Sequence, residues 1–129
     1  MPIWAIGAFE QVPRHSTSSQ LKLPSAETVC GAGAIRAFNH AYYVLRSARA
    51  ARAVAAPGAV ASEYVMQQYI NQRPIGTRHC LTVAERGPGE YSVVLTELQP
   101  DAAPITYRQV IRTTTIGGRS YIQSIRSVE

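Results

Sequence analysis

Reactive chemistry in this 129-residue chain would have to come from eight acids, three histidines, two cysteines and seven tyrosines. Most of the acids (Glu10, Glu27, Glu85, Glu90, Asp101 and Glu129) fall in turns or at the ends of elements. Glu97 is the one carboxylate inside a strand-like run, and Tyr42 is the one phenol on the apolar arc of the first helix. A carboxylate facing a phenol in a closed site can move a proton, so Tyr42 with Glu97 is the candidate catalytic pair. His79 shares a strand face with Leu81 and Val83 and could project into the same space. The plainer alternatives are a core Tyr42, a solvated Glu97 at a strand end and a hydrogen-bonded structural His79. With His15 in a polar stretch and His40 on a solvated helix face, no three ligands have metal spacing, and neither metal nor cofactor is expected.

Cys30 and Cys80 are the only thiols. If the first helix packs across the first strand they come within bridging distance, and closing a loop of about 51 residues would stabilise by roughly 4 kcal/mol. Such a bridge would point to an oxidising compartment. Against it, Cys80 alternates with Leu81 and Val83, so a sheet that buries those two turns Cys80 away; two inert thiols are the alternative. Arg108, Arg112, Arg119 and Arg126 could line one sheet surface and hold a carboxylate or phosphate, or act as solvated partners of Glu90 and Glu97. No Gly-rich phosphate loop, Ser/His/Asp order or base-stacking platform is present.

The net charge of +5 is spread along the chain, at +1 over residues 1–24, +3 over 25–75 and +1 over 76–129. Twelve of the thirteen basic residues are Arg and Ala is abundant, which GC-rich coding produces without functional demand. With no aromatic-laced basic stripe, nucleic acid is not an expected partner. No run approaches the ~18 apolar residues that span a bilayer. Met1–Ala8 lacks the basic start and the length of a secretory signal, so the chain as it stands reads as soluble and without a visible signal peptide. Gln11–Pro24 is polar and aperiodic, the composition of a flexible tail that could lie below a membrane anchor.

The elements that must position these groups change character at Arg73-Pro74. Before it, the sequence is alanine-rich and helical in period. Ser25 can cap a first helix with Glu27 in its first turn, although Gly31 and Gly33 weaken that turn. At about 100° per residue, Ile35, Phe38, Tyr42 and Leu45 share an arc of about 80°, with Arg36, Asn39, His40 and Tyr43 on the other side. Running on would bring Arg46, Arg49 and Arg52 onto the buried arc, so the helix must break. Ser47 can cap a short second helix with Ala50, Ala51, Val54 and Ala55 inward, ended by Pro57-Gly58. A third helix is expected over about 62–72, with Ala61, Val65, Tyr69, Met66 and Ile70 inward. After Gly76 come four strand-like runs, 77–85, 90–98, 105–116 and 119–127, joined by short turns that include Gly117-Gly118, a two-residue hairpin signal. The chain is therefore expected to be a single α+β domain over 25–129, three helices on a four-stranded antiparallel meander, preceded by a tail over 1–24.

The stretch AFNHAYYVLRSARAARAVAAPGA (37–59) resembles the opening of nuclear transport factor 2-like (cystatin-like) domains, and TYRQVIRTTTIGGRSYIQSI (106–125) resembles their last hairpin. The resemblance covers about residues 25–127 and implies a cone of three helices on a curved meander, the fold of ketosteroid isomerases, polyketide cyclases and many non-enzymatic domains. Its nearest subgroup is small exported or membrane-anchored proteins of actinobacteria, which implies an extracytoplasmic or membrane-associated place of action. In such a cone, Phe38, Tyr42, Tyr69 and Tyr107 would line a cavity for a small apolar ligand. The expected function is a non-catalytic accessory or binding domain, using that cavity or the sheet face for a partner or a homodimer. The alternative is a proton-transfer enzyme using Tyr42, Glu97 and His79.

Overall fold

A computed structural model of the chain describes residues 31–128. Helix α1 runs Gly31–His40 and continues as a π-wound turn over Ala41–Leu45. Helices α2 (Ala48–Arg52) and α3 (Glu63–Asn71) follow, then strands β1 (Arg78–Gly87), β2 (Glu90–Leu98), β3 (Ile105–Ile116) and β4 (Arg119–Ser127). The strands pair in sequence order as one antiparallel sheet, so the architecture is α+β with the helices N-terminal to a four-stranded meander. The expected cap at Ser25, the tail over 1–24 and Cys30 lie outside the described residues.

Each helix boundary has a local cause. Arg46 takes a left-handed conformation (φ 55°), and Ser47 N–H returns to the Ala41 carbonyl at 3.0 Å, closing α1. The Ser47 hydroxyl accepts from Ala50 N–H at 3.1 Å and opens α2, and Ser62 does the same for α3 through Val65 N–H at 3.2 Å. Arg49 is 85% exposed, so the break at Arg46 does keep that charge in water. Ala48, Ala51 and Ala55 carry the inward face of α2, with Ala50 and Val54 half-buried. In α3, Met66 and Ile70 are the buried pair, whereas Val65, expected inward, is exposed.

The π winding corrects the helical-wheel expectation for the end of α1. A π turn advances each residue by a smaller angle than an α turn, which carries Tyr43 onto the buried side and Leu45 off it. Tyr43 is accordingly 8% exposed and Leu45 56%. Asn39, also expected in solvent, is buried and returns its amide to the Ile35 carbonyl at 2.9 Å.

In the sheet, Leu81, Val83, Tyr91, Val93, Leu95, Tyr107, Ile111 and Ile125 pack with the helices in one cluster. Ile122 joins them only because the β3–β4 register shifts between Arg112 and Thr113, which leaves Gln123 without a partner. Ile122 and Ile125 are three apart and could not share a face of a regular strand, so the bulge is what buries both. The outer edge of β4 is then covered by the chain leaving α2: Ile122 N–H donates to Val54 O at 2.9 Å and Ala56 N–H to Ile122 O at 2.7 Å. Among the described residues no helix is long and apolar enough to cross a membrane.

Gly31, read from sequence as a weak point, is a close-approach residue. A Cβ there would lie 2.6 Å from both the Tyr91 ring and Thr113 Oγ1. Gly31→Ala is therefore expected to push α1 off the sheet and lower stability by about 1–3 kcal/mol, the usual range for overpacking. Thermal and urea unfolding of the two proteins would check this; an unchanged or raised melting temperature would contradict it.

Candidate functional site

Among the described residues, ionisable groups converge inside the protein at the C-terminal end of β2, under the π turn. Glu97 is 1% exposed, the only buried acid among the described residues. Its Oε2 accepts from the Tyr43 hydroxyl at 2.7 Å and stands 3.3 Å from Arg73 Nε, while Oε1 accepts from Gln99 Nε2 at 3.1 Å. The Arg73 contact is an ion pair without hydrogen-bond alignment at that nitrogen. His79 is the direct cross-strand neighbour of Glu97 and stacks on the Tyr43 ring, with centroids 4.9 Å apart and planes 17° from parallel. Tyr42 tilts against Tyr43 at 4.8 Å.

The backbone that carries Arg73 is held in place by a second arginine. Arg46 Nη2 donates to the carbonyls of Ile70 (3.2 Å) and Arg73 (2.8 Å), supplying a cation and donors at the C-terminal end of α3. Gln67 locks the same junction, accepting from Ala48 N–H at 2.8 Å and donating to Arg46 O at 3.1 Å. The break in the helical rod thus sets where both Tyr43 and Arg73 meet Glu97.

The electrostatics follow from burial in one small volume. Desolvation raises the Tyr43 phenol well above its ordinary value, and the Glu97 charge adds to the rise. Tyr42 is raised by burial first, with Arg73 pulling the other way. Tyr107 is pushed up to about 12 by burial and then by Glu97, against Arg73. These phenols stay protonated at neutral pH, and that of Tyr43 donates to Glu97. Burial lowers His79 to about 4, with His40 contributing, so it is neutral at pH 7.

Tyr42 and Glu97 are both buried, as a proton-transfer pair requires, and the alternative of a solvated Glu97 does not hold: its charge is matched by Arg73 inside the protein. The phenol that donates to Glu97 is Tyr43, which the helical wheel placed in solvent. Of the expected ligand-binding residues, Phe38 and Tyr42 line a depression between α1 and the sheet, together with Asn39, Tyr43, Leu95 and Gln109 among others. Its volume is about 10 Å³, room for about one water. Tyr107 packs against the same core, and Tyr69 packs against it from α3 without lining the depression. Cys80 is a free thiol opposite Thr96. Its alternation with the inward Leu81 and Val83 puts it on the face away from α1; Cys30, its expected partner, lies outside the described residues. Among the described residues no group of three or more His, Cys, Asp and Glu could hold a metal ion.

Tyr43, Arg73 and Gln99 are the site residues that sequence reasoning missed. The signal for Arg73 was available: a carboxylate inside an apolar strand needs a cation, and Arg73 is the arginine next to the helix stop.

Residues 14–126 match the family described as Domain of unknown function (DUF8176). The chain belongs to this family. The match takes in every element described above except the last residue of β4, and also part of the stretch read as a tail. No curated protein and no solved structure matches the chain.

Breaking a buried ion pair from one side leaves a charge without compensation, so Glu97→Gln and Arg73→Met are each expected to cost about 3 kcal/mol in urea unfolding. The double variant should lose less than the sum of the two. Additive losses would show that the pair is not coupled.

The unfolded chain protonates His79 near 6.5 and the folded protein near 4. Between those values the unfolded state binds more protons, so stability is complete above about 6.5 and is lost as pH falls toward about 4. Melting temperature should decline across that window, and His79→Phe should flatten the decline between about pH 6.5 and 5, above most carboxylate titration. Equal slopes in the two proteins would remove His79 from the account.

Proposed function

We propose that the chain is a non-catalytic binding domain of the nuclear transport factor 2-like type, whose interior serves architecture and whose outward sheet face takes a protein partner. The observation that carries this reading is the commitment of Glu97. Its two oxygens are engaged by Tyr43, Arg73 and Gln99, and the depression lined by Phe38, Tyr42 and Tyr43 is about the size of one water. A general base must lie within reach of a substrate proton, and Glu97 is 1% exposed. An apolar ligand needs a pocket of hundreds of cubic ångströms. The order of helices before an antiparallel meander supports the fold assignment. An extracytoplasmic place of action belongs to the same proposal and rests on the likeness to exported domains.

The sheet face is favoured because the three helices cover only the other side. Val94, Leu98 and Val110 stand at outward positions and outside the helix-side core. A face-to-face homodimer would bring like-charged arginines of the two copies together, so a different protein is the preferred occupant.

The proton-transfer alternative predicts deuterium wash-in at the α-carbon of an enolisable cyclic ketone, abolished by Glu97→Gln. We expect no wash-in above buffer, and no saturable fluorescence increase when Nile red is titrated into the native protein. Stoichiometric dye binding that is lost on Leu95→Trp would instead place a ligand in the interior and overturn the proposal.

A further inference from the structure

The sheet ends on two edges that differ in how they are used. On β4, Ile122 bonds the chain leaving α2 through both its N–H and its carbonyl. β1 pairs with β2 along one side, and among the described residues no backbone group of 78–87 bonds to anything on the other side. A ten-residue strand left in this way presents a row of N–H and C=O groups ready to pair with a further strand. Edges that avoid such pairing carry charge, proline or a bulge along their length. β1 has none of these from His79 to Ala84 (HCLTVA): its charged residues, Arg78, Glu85 and Arg86, stand at its ends, and its register shift falls between Glu85 and Gly87. Thr82 and Ala84 are exposed, so the strand is also open on the side away from the helices.

The side chains of β1 fit a second copy of the same strand. In two antiparallel copies related by a two-fold axis through Thr82, residues equally far before and after Thr82 come opposite each other and point to the same face. Leu81 then stands beside Val83 of the second copy on the helix side, Cys80 beside Ala84 on the outward side, and His79 beside Glu85. Leu81 and Val83 pack against the core yet are only half-buried at this edge, and a neighbouring strand would cover what remains in water. Arg78 and Arg86 fall at the ends of the pairing, in solvent, where like charges are screened, and Arg86 has Glu90 at 4.0 Å. Such pairing consumes the open edge of each copy, and with β4 engaged at Ile122 the assembly closes at two.

We propose that the open edge of β1 pairs antiparallel with β1 of a second copy of this chain, joining two four-stranded sheets into one continuous sheet. This goes beyond the reading of the outward face and does not depend on it, because the edge and the face are different surfaces. A strand-to-strand contact is small beside the roughly 800 Å² per partner of a stable complex, so half-association is expected at about 0.1–1 mM.

The test is sedimentation equilibrium and amide chemical-shift mapping of the full chain from about 10 μM to about 1 mM. A monomer–dimer equilibrium is expected, with concentration-dependent shifts concentrated on 78–87. Thr82→Lys places at the axis the charge that protected edges carry, and should weaken association by at least about tenfold while leaving the melting temperature within about 3 °C. In a Cys30→Ser background, Ala84→Cys treated with oxidised glutathione should give a covalent dimer linking position 84 to Cys80 of the other copy. Within one strand those positions are about 13 Å apart, too far to bridge. A strict monomer at about 1 mM would overturn the proposal. So would association that Thr82→Lys leaves unchanged, or shifts confined to the outward face of β3 and β4. If Thr82→Lys does not fold, the cross-link decides, and its absence at about 1 mM overturns the pairing. A monomer whose β1 amides shift only when an unrelated extended peptide is added would also overturn the second copy as the occupant, while keeping the edge as a pairing site.

Discussion

The burial of Glu97 is the constraint around which the rest of the structure is arranged. An ionised carboxylate in an apolar interior is strongly unfavourable unless its charge is matched and its lone pairs are occupied. Here three residues meet that demand from three different parts of the chain: Tyr43 from the end of α1, Arg73 from the turn after α3, and Gln99 from just beyond β2. Each of those segments has to be brought to one point, and the helix layer takes its form from that need.

The π turn and the break at Arg46 are consequences of this geometry. A regular α turn would direct Leu45 inward and Tyr43 toward solvent, leaving Glu97 without its 2.7 Å donor. The wider turn exchanges the two, at the cost of exposing Leu45. Arg46 then redirects the chain and binds the carbonyls at the end of α3, so the residue that ends one helix also steadies the arginine that neutralises the carboxylate. The same arrangement bears on function. A carboxylate already engaged on both oxygens stabilises a scaffold, and the interaction surface is then sought on the face that the helices leave uncovered.

Much of this was legible from residue order. The four strands, their turns, the break before Arg49 and the cap at Ser47 follow from alternation, glycine placement and hydroxyl chemistry, which are local properties. The bulge in β4 was also readable in principle, because Ile122 and Ile125 are both apolar and three apart. Glu97 and Tyr42 were recognised as interior candidates. Tyr43 was not, since a helical wheel assumes one angle per residue and a π turn violates that assumption where the site is built.

The amino-acid sequence by itself determined the class of fold, the order of its elements and which residues were chemically able to form a site, because hydrophobic period and turn chemistry act over a few neighbours. Tertiary structure alone decided that Tyr43 and Arg73 complete the environment of Glu97, and that the bulge turns Ile122 inward. Those relations depend on strand register and on helix winding under packing, and both are set by contacts between residues far apart in the chain.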